Sequence, residues 1–186
     1  MVHDADVDAG TVSDFLSRLA ARTPTPAGGS VAALCTAQAA ALVAMVARYC
    51  DTPALVERAE RLVTQAQQLV ADDEAAFLAV ADAWGLPRGV GADDEERRSA
   101  IGAALLGASE PQAQVVETAI EVLVLIDLLR PAARSGLRAD LVAAGEVARA
   151  ASAIARMNVE SNLRNLTDSE ARSQLLRRMG VTKGRD

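Results

Sequence analysis

The stretch "TPTPAGGSVAALCTAQAAALVAM", residues 23–45, decides the fold class of this chain. Two prolines and two glycines, followed by Ser30, precede a run made almost wholly of alanine, valine and leucine. Proline and glycine allow a sharp turn between elements, whereas alanine is the best helix former. The stretch therefore predicts a helix that Ser30 can cap and that continues to about Cys50.

The composition of the whole chain favours closely spaced helices. Of the 186 residues, 51% are hydrophobic but only 2% are aromatic, so alanine, valine and leucine must fill the core. Apolar residues recur at spacings of three and four, and no stretch alternates with period two. We expect an all-α fold, an elongated helical bundle of about six or seven helices. The length suits a single domain over residues 1–186, with residues 1–10 a disordered leader.

Proline, glycine and capping residues mark the ends of the predicted helices. The predicted helices are a short one lined by Val12, Phe15, Leu16 and Leu19; one from Ser30 to about Cys50; one from Pro53, capped by Thr52, to Trp84; one over residues 93–108; one from Pro111 to before Pro131; one over residues 139–165; and a last short one opened by a capping box at 167–170 and ended by Gly180.

Charge and residue usage exclude several classes of function. The formal net charge is −6 and the arginines are scattered, which argues against a nucleic-acid surface. Lys183 is the only lysine, so a catalytic Schiff base is not expected. The only histidine, His3, lies in the polar leader. Acid–base chemistry must then use carboxylates, amides or water, unless His3 folds back.

Cysteine usage and hydropathy indicate the environment of the chain. Cys35 and Cys50 are too few for a disulfide framework, and no histidine clusters with them, so neither a metal site nor a zinc site is predicted. We expect core thiols in a reducing cytoplasm. The leader lacks the features of a signal peptide. The apolar run "AIEVLVLIDLL" is short and carries two acids, which is typical of a core helix rather than a membrane span.

One carboxylate falls where the helical pattern requires an apolar residue. Heptad spacing along the third predicted helix places Asp73 in the middle of an apolar seam. Such an acid lies at a gap in the packing, pairs with an arginine, or is desolvated with a raised pKa and ready for proton transfer. The spacing alone leaves all three readings open.

Two asparagines also interrupt an apolar face. Asn158 and Asn162 lie one turn apart on the long C-terminal helix, and Asp140 shares their face. Buried amides must be hydrogen-bonded, so the pair bridges two helices or binds a ligand. Asp140 is five turns away, about 27 Å along a continuous helix. One subunit cannot bring both ends to one small molecule, but an antiparallel partner chain could.

Three blocks of the sequence resemble one known family. They are "FLSRLAARTPTPAGGSVAALCTAQAAALVAMVA" at 15–47, "DEAAFLAVADAWGLP" at 73–87, and "DLVAAGEVARAASAIARMNVESN" at 140–162. They are similar to the cyclodeaminase domain of the formiminotransferase-cyclodeaminase family and to stand-alone methenyltetrahydrofolate cyclohydrolases. Ala27 stands where the family has the first of three glycines, and Ala139 where it has a serine.

The resemblance implies a homodimeric folate enzyme. A cyclohydrolase adds water to 5,10-methenyltetrahydrofolate and yields 10-formyltetrahydrofolate. The alternative, a cyclodeaminase, closes 5-formimidoyltetrahydrofolate to the methenyl form and releases ammonia. The resemblance favours the hydrolase, because no formiminotransferase domain is attached. A non-catalytic helical interaction protein is a further alternative, since Ala27 and Ala139 depart from the family pattern.

The family motifs also select the candidate site residues. The resemblance implies Asp73 and Asp140 as catalytic carboxylates, and Asn158 and Asn162 as substrate-binding amides. Residues 28–30, which are Gly28, Gly29 and Ser30, either bind an anionic folate tail at a helix N-terminus or allow a sharp turn at a subunit contact. The implied partners are the folate substrate and a second copy of the chain, with no nucleic acid, no membrane, no metal and no cofactor beyond the tetrahydrofolate derivative.

Overall fold

The computed structural model describes residues 10–90, 92–164, 166 and 170–180. Over these residues the chain forms six α-helices and a single 3₁₀ turn, which confirms the all-α prediction for the described part of the chain. The elements are α1 (Val12–Leu19), α2 (Gly28–Tyr49), α3 (Pro53–Gly85), α4 (Ala92–Leu129), the 3₁₀ turn (Ser135–Leu137), α5 (Arg138–Leu163) and α6 (Glu170–Arg178).

Helix α2 lies at the centre of the bundle and packs against α3, α4 and α5. Its alanines let the neighbouring helices approach closely, because a methyl group adds little to the distance between helix axes. The alanine stripe of α2 is almost completely buried; its members are Ala33, Ala37, Ala40, Ala44 and Ala47. The composition argument for a core filled by small aliphatic residues is thus confirmed.

The start of α2 differs from the predicted cap. Ala27 occupies the N-cap position and Ser30 is the third residue of the helix. The Ser30 hydroxyl accepts a hydrogen bond from the Ala27 N–H at 3.4 Å, so Ser30 closes the first turn from inside the helix. Thr52 does occupy the N-cap of α3, with Pro53 as first helical residue, but its hydroxyl donates to the carbonyl oxygen of Ala47 at 3.0 Å instead of capping.

Helix α4 is continuous, so the prediction of two helices separated before Pro111 is wrong. Pro111 lies inside the helix, where it removes one backbone hydrogen bond at a cost of about 3 kcal/mol. The helix continues because one face on both sides of the proline is buried in the bundle. That face includes Ala108, Gln112, Val115, Val116, Ala119 and Val122. Burial of several such side chains outweighs a single proline.

The C-terminal helices agree with the prediction in kind and differ at their ends. Helix α5 begins one residue before the predicted start and ends at Leu163, two residues early. Gly180 follows α6 with a φ of 71°, a left-handed conformation that favours glycine at a helix end. The predicted leader, residues 1–10, and the capping box at 167–170 lie largely outside the described residues.

By length and composition α2 is apolar enough to cross a membrane, with a mean hydropathy of 1.9 over its best window. However, 61% of that window is buried inside the bundle. The core helix of a folded bundle has the same length and composition, and α2 contacts three other helices here.

Candidate functional site

Asp73 lies where helices α2, α3 and α4 meet. The Ser30 hydroxyl, in the first turn of α2, donates a hydrogen bond of 2.8 Å to its Oδ2. The side-chain amide of Gln112, on α4, donates a hydrogen bond of 2.7 Å to its Oδ1. Both carboxylate oxygens therefore have a neutral donor. Of the three readings of Asp73, pairing with an arginine is wrong, because its partners are a hydroxyl and an amide.

The surroundings of Asp73 shift its proton affinity. Burial away from water is the largest influence and raises the pKa of the Asp73 carboxyl above its ordinary value. Hydrogen bonds from the Ser30 hydroxyl, the Gln112 amide and the Ser30 backbone N–H lower the pKa, but only in part. The negative charge of Glu74 adds to the rise. The result is a desolvated acid that takes up a proton more readily than an exposed aspartate.

The glycines at the start of α2 allow this approach. A β-carbon at position 29 would lie 2.1 Å from Asp73 Oδ1 and 2.4 Å from Gln112 Nε2, so a side chain there would force Asp73 and Gln112 to move. At Gly28 the nearest atom is the Asn158 Nδ2, at 3.9 Å, an ordinary contact. Gly29 thus packs directly on the carboxylate, and the Ser30 N–H at this helix terminus faces the protein's own Asp73.

Gln112 is a member of this site that the sequence interpretation missed. It is only 1% exposed, and its side chain connects α4 to α3 and α5. Its Oε1 accepts a hydrogen bond of 3.4 Å from the Nδ2 of Asn158 on α5. The signal was present, because Gln112 lies on the apolar face between Ala108 and Val115. The sequence interpretation began a new helix at Pro111, which put Gln112 in the first turn of that helix. Polar residues are common in a first turn, so Gln112 did not stand out there.

The remaining predicted site residues are not all brought together. Asn158 is half-buried and joins the Asp73 site through Gln112, whereas Asn162 and Asp140 make no side-chain hydrogen bond within the described part of the chain. Because α5 is continuous, Asp140 lies about 27 Å from Asn158. Within one subunit the two predicted carboxylates therefore belong to different places.

Charged and aromatic groups border the site along α3. Glu74 binds Arg18 of α1 through two hydrogen bonds of 2.9 and 3.3 Å, which ties α1 beside Asp73. Phe77, one turn after Asp73, makes an edge-to-face contact with Trp84 at 6.3 Å between ring centroids. Within the described residues, no group of three or more His, Cys, Asp or Glu is arranged to hold a metal ion.

Two surface grooves lie away from Asp73. One, of about 420 Å³, runs between α4 and α6 and includes Gly107, Glu110 and Arg178. The other, of about 630 Å³, is a shallow depression over the first half of α3, from Glu57 to Gln65. Neither contains Asp73, Asn158 or Asp140.

Comparisons with known proteins agree with the helical fold. A family model described as formiminotransferase-cyclodeaminase matches residues 11–180. A methenyltetrahydrofolate cyclohydrolase from Methylorubrum extorquens is 31% identical over 169 residues, which cover 85% of this chain and 81% of that protein. The crystal structure of a formiminotetrahydrofolate cyclodeaminase from Thermotoga maritima superposes with a TM-score of 0.82 and 22% identity, covering 94% of this chain and 89% of that one. The chain therefore belongs to the formiminotransferase-cyclodeaminase family.

Proposed function

We propose that this protein hydrolyses 5,10-methenyltetrahydrofolate to 10-formyltetrahydrofolate. The similarity to a methenyltetrahydrofolate cyclohydrolase at 31% identity supports this substrate and favours an enzyme over a non-catalytic helical protein. The observation that carries the proposal is the desolvated carboxylate of Asp73, held by two neutral donors at the junction of three helices.

The reaction needs one proton acceptor and one proton donor in turn. The methenyl carbon is joined to two folate nitrogens, N5 and N10, that share a positive charge. Water adds to this carbon and loses a proton, which gives a tetrahedral intermediate. The bond from the carbon to N5 then breaks and N5 takes up a proton. The hydroxyl group on the carbon gives its own proton to solvent as the formyl group forms on N10. The net reaction consumes one water and releases one proton.

Asp73 suits both proton transfers. Its ionised carboxylate stabilises the cationic substrate and accepts the proton of the attacking water. Its raised pKa then favours holding that proton until N5 leaves, because a base acts best when its pKa is close to the working pH. Ser30 and Gln112 donate to the ionised carboxylate and fix its plane before the water attacks.

The experiment that tests this proposal follows the loss of methenyltetrahydrofolate absorbance with purified protein. We expect acceleration over the buffer reaction, and Asp73→Asn should lower kcat/KM about 100-fold or more. Asp72→Asn is the matched control, because Asp72 is the preceding residue and accepts its hydrogen bond from Gln68 on the same helix. Full activity in Asp73→Asn contradicts the role of Asp73, and no acceleration by the wild type contradicts the proposed reaction.

The alternative activity in this family, cyclodeamination, also passes through a tetrahedral carbon between two nitrogens. A cyclodeaminase closes 5-formimidoyltetrahydrofolate through a tetrahedral carbon and releases ammonia. The fold shared with the cyclodeaminase from Thermotoga maritima keeps this alternative open. Ammonia release from formimidoyltetrahydrofolate, measured with the same preparations, separates the two activities. A protein that releases ammonia but does not accelerate methenyltetrahydrofolate hydrolysis is a cyclodeaminase.

We extend the proposal to a homodimer in which Asp140 of one subunit completes the site of the other. An antiparallel pairing of two α5 helices near Arg149 brings Asp140 of one chain to the level of Asn158 of its partner. This pairing must use the face of α5 that carries Asp140 and Asn158, because the exposed Val142 and Met157 lie on the other side of the helix.

Subunit complementation tests this arrangement. Asp73→Asn and Asp140→Asn subunits should each have little activity alone. When they are mixed and allowed to exchange, half of the dimers are mixed and one of their two sites holds both carboxylates, so activity should recover to about one quarter of wild type. No recovery in mixed dimers, detected by a mass tag on one subunit, or a monomer in size-exclusion chromatography with light scattering, contradicts the shared site.

A further inference from the structure

Gln112 links Asp73 to a second polar side chain, Asn158. Its side chain is buried on α4 and both of its polar atoms are bonded, Nε2 to Asp73 Oδ1 at 2.7 Å and Oε1 to Asn158 Nδ2 at 3.4 Å. It forms the only side-chain hydrogen-bond path from Asp73 to Asn158 in the part of the chain that the structure describes. A buried amide with two such partners has a defined orientation.

The charge of Asp73 dictates that orientation. An ionised carboxylate only accepts hydrogen bonds, so it requires the NH₂ group of Gln112 on its side. The carbonyl oxygen of Gln112 then points to Asn158, which must present its own NH₂ group in return. The carbonyl oxygen of Asn158 is left on the side away from Gln112.

Protonation of Asp73 at Oδ1 reverses the direction of these hydrogen bonds. The new O–H group and the Gln112 NH₂ group are both donors, so Gln112 must turn its carbonyl oxygen to the acid. Its NH₂ group then faces Asn158, which must turn its own carbonyl oxygen inward and its NH₂ group outward. Protonation at Oδ2 would require the Ser30 hydroxyl to turn its O–H away from the acid but would leave the Gln112 amide in place, so the reversal requires the proton on Oδ1.

We propose that Gln112 is a positioning residue that couples the charge of Asp73 to the group that Asn158 presents to the ligand. With Asp73 ionised, Asn158 offers a carbonyl oxygen, which suits the cationic substrate and a proton of the attacking water. With Asp73 protonated, Asn158 offers an N–H, which suits the oxygen newly bonded to carbon in the tetrahedral intermediate. This inference rests on the proposed function for its ligand but not for its hydrogen-bond geometry.

Asp73 is the titratable group in this hydrogen-bonded path, because the side chains that bond to it or to Gln112 are uncharged. From α2 it meets Ser30 and from α4 it meets Gln112, both uncharged. Its charged neighbour, Glu74, lies on the same helix and is paired with Arg18 of α1. On α5 the nearest member of the chain, Asn158, is also uncharged.

The first test is a titration that needs no activity. The carboxyl carbon of Asp73 and the side-chain amides of Gln112 and Asn158 are followed by nuclear magnetic resonance as pH changes. We expect the Asn158 amide signals to change with the same midpoint as Asp73 in wild-type protein, and to lose this change in Gln112→Met. The proposal is overturned if the Asn158 signals do not change at the Asp73 midpoint in wild-type protein. It is also overturned if they change there equally in Gln112→Met.

The second test uses the pH profile of kcat/KM. Gln112→Met removes a donor to the ionised carboxylate without changing side-chain length, so the acid limb should move to higher pH by about one unit. Gln114→Met is the matched control, since Gln114 lies two residues away and bonds Glu110 instead. A variant that is less stable but keeps the wild-type acid limb has lost only a structural contact and refutes the positioning role.

A double-mutant cycle shows whether Asn158 acts on Asp73 through Gln112 or whether the two residues act independently. Asn158→Leu should displace the acid limb in the wild-type background and leave it unchanged in the Gln112→Met background, because the path runs through Gln112. Equal displacements in both backgrounds contradict the relay. If the protein does not hydrolyse methenyltetrahydrofolate at all, the proposed function fails while the magnetic resonance titration still decides the coupling.

Discussion

Gly29 lies so close to Asp73 that a β-carbon at position 29 would fall 2.1 Å from the carboxylate Oδ1. We therefore expect Gly29→Ala to displace Asp73 and Gln112, to lower the free energy of unfolding by about 1–3 kcal/mol, and to reduce kcat/KM. Gly28→Ala is the stability control, because its β-carbon would lie 3.9 Å from the nearest atom. Urea unfolding checks both variants, and equal stability of the two contradicts the close contact at Gly29.

Gly107 offers a glycine on α4 with no such constraint. A β-carbon there meets nothing within 4 Å, and the residue is exposed inside a helix. Gly107→Ala should raise the free energy of unfolding by about 1 kcal/mol through helix propensity and leave catalytic activity at the wild-type level. Chemical unfolding and the hydrolysis assay measure the two effects. A loss of stability at this position means that α4 does not tolerate a methyl group here.

The buried acid makes stability depend on pH in a defined direction. Because burial raises the pKa of Asp73, the folded protein binds this proton more tightly than the unfolded chain does. The protonated carboxyl therefore contributes to the free energy of unfolding. This contribution is fully present below the pKa of the unfolded chain, about 3.9, and is lost as pH rises through the higher pKa of the folded protein. The asparagine of Asp73→Asn does not titrate. As pH rises from about 3.9 through the folded pKa of Asp73, the melting temperature of the wild type should therefore fall relative to that of the variant. A difference that is constant with pH, or that changes in the opposite direction, contradicts the raised pKa.

Arg178 holds α6 on α4. Its guanidinium donates to Glu110 at 2.8 and 2.9 Å and to Glu117 at 2.8 and 3.1 Å. Arg178→Met should therefore release α6, with a stability loss of about 1 kcal/mol because the pairs are partly exposed. Hydrogen exchange of the α6 amides is the measurement. Arg177→Met is the control, since Arg177 bonds Glu170 within α6 itself, and equal exchange in both variants contradicts the anchoring role.

Helix α1 has no fully buried residue, and Arg18 ties it to α3 by an ion pair. Arg18 binds Glu74, which is next to Asp73. Arg18→Met should speed hydrogen exchange over Val12–Leu19 while changing global stability by less than about 1 kcal/mol. Arg130→Met removes a comparable exposed pair, with Asp127, far from α1. Unchanged exchange in α1 contradicts the tie.

The sequence indicated Asp73 but not its partners, and the reason is geometric. Helical spacing shows that Asp73 falls on an apolar face, because the face of one helix depends only on residues within that helix. It does not show which residues of other helices lie at the same level. The local pattern predicts Ser30 as a helix cap, whereas Ser30 donates to Asp73 from the third position of α2. Gln112 was missed because Pro111 indicated a helix end.

The amino-acid pattern by itself determined that this chain is helical, that α2 is packed through alanine, and that one carboxylate interrupts an apolar seam. These properties are local, because they follow from residue type and spacing along a single helix. Only the tertiary structure decided that α4 passes through Pro111, that Gln112 connects Asp73 with Asn158, and that Asp140 lies at the far end of α5. Such relations depend on the register between helices, which burial of whole faces sets during packing and which no single segment encodes.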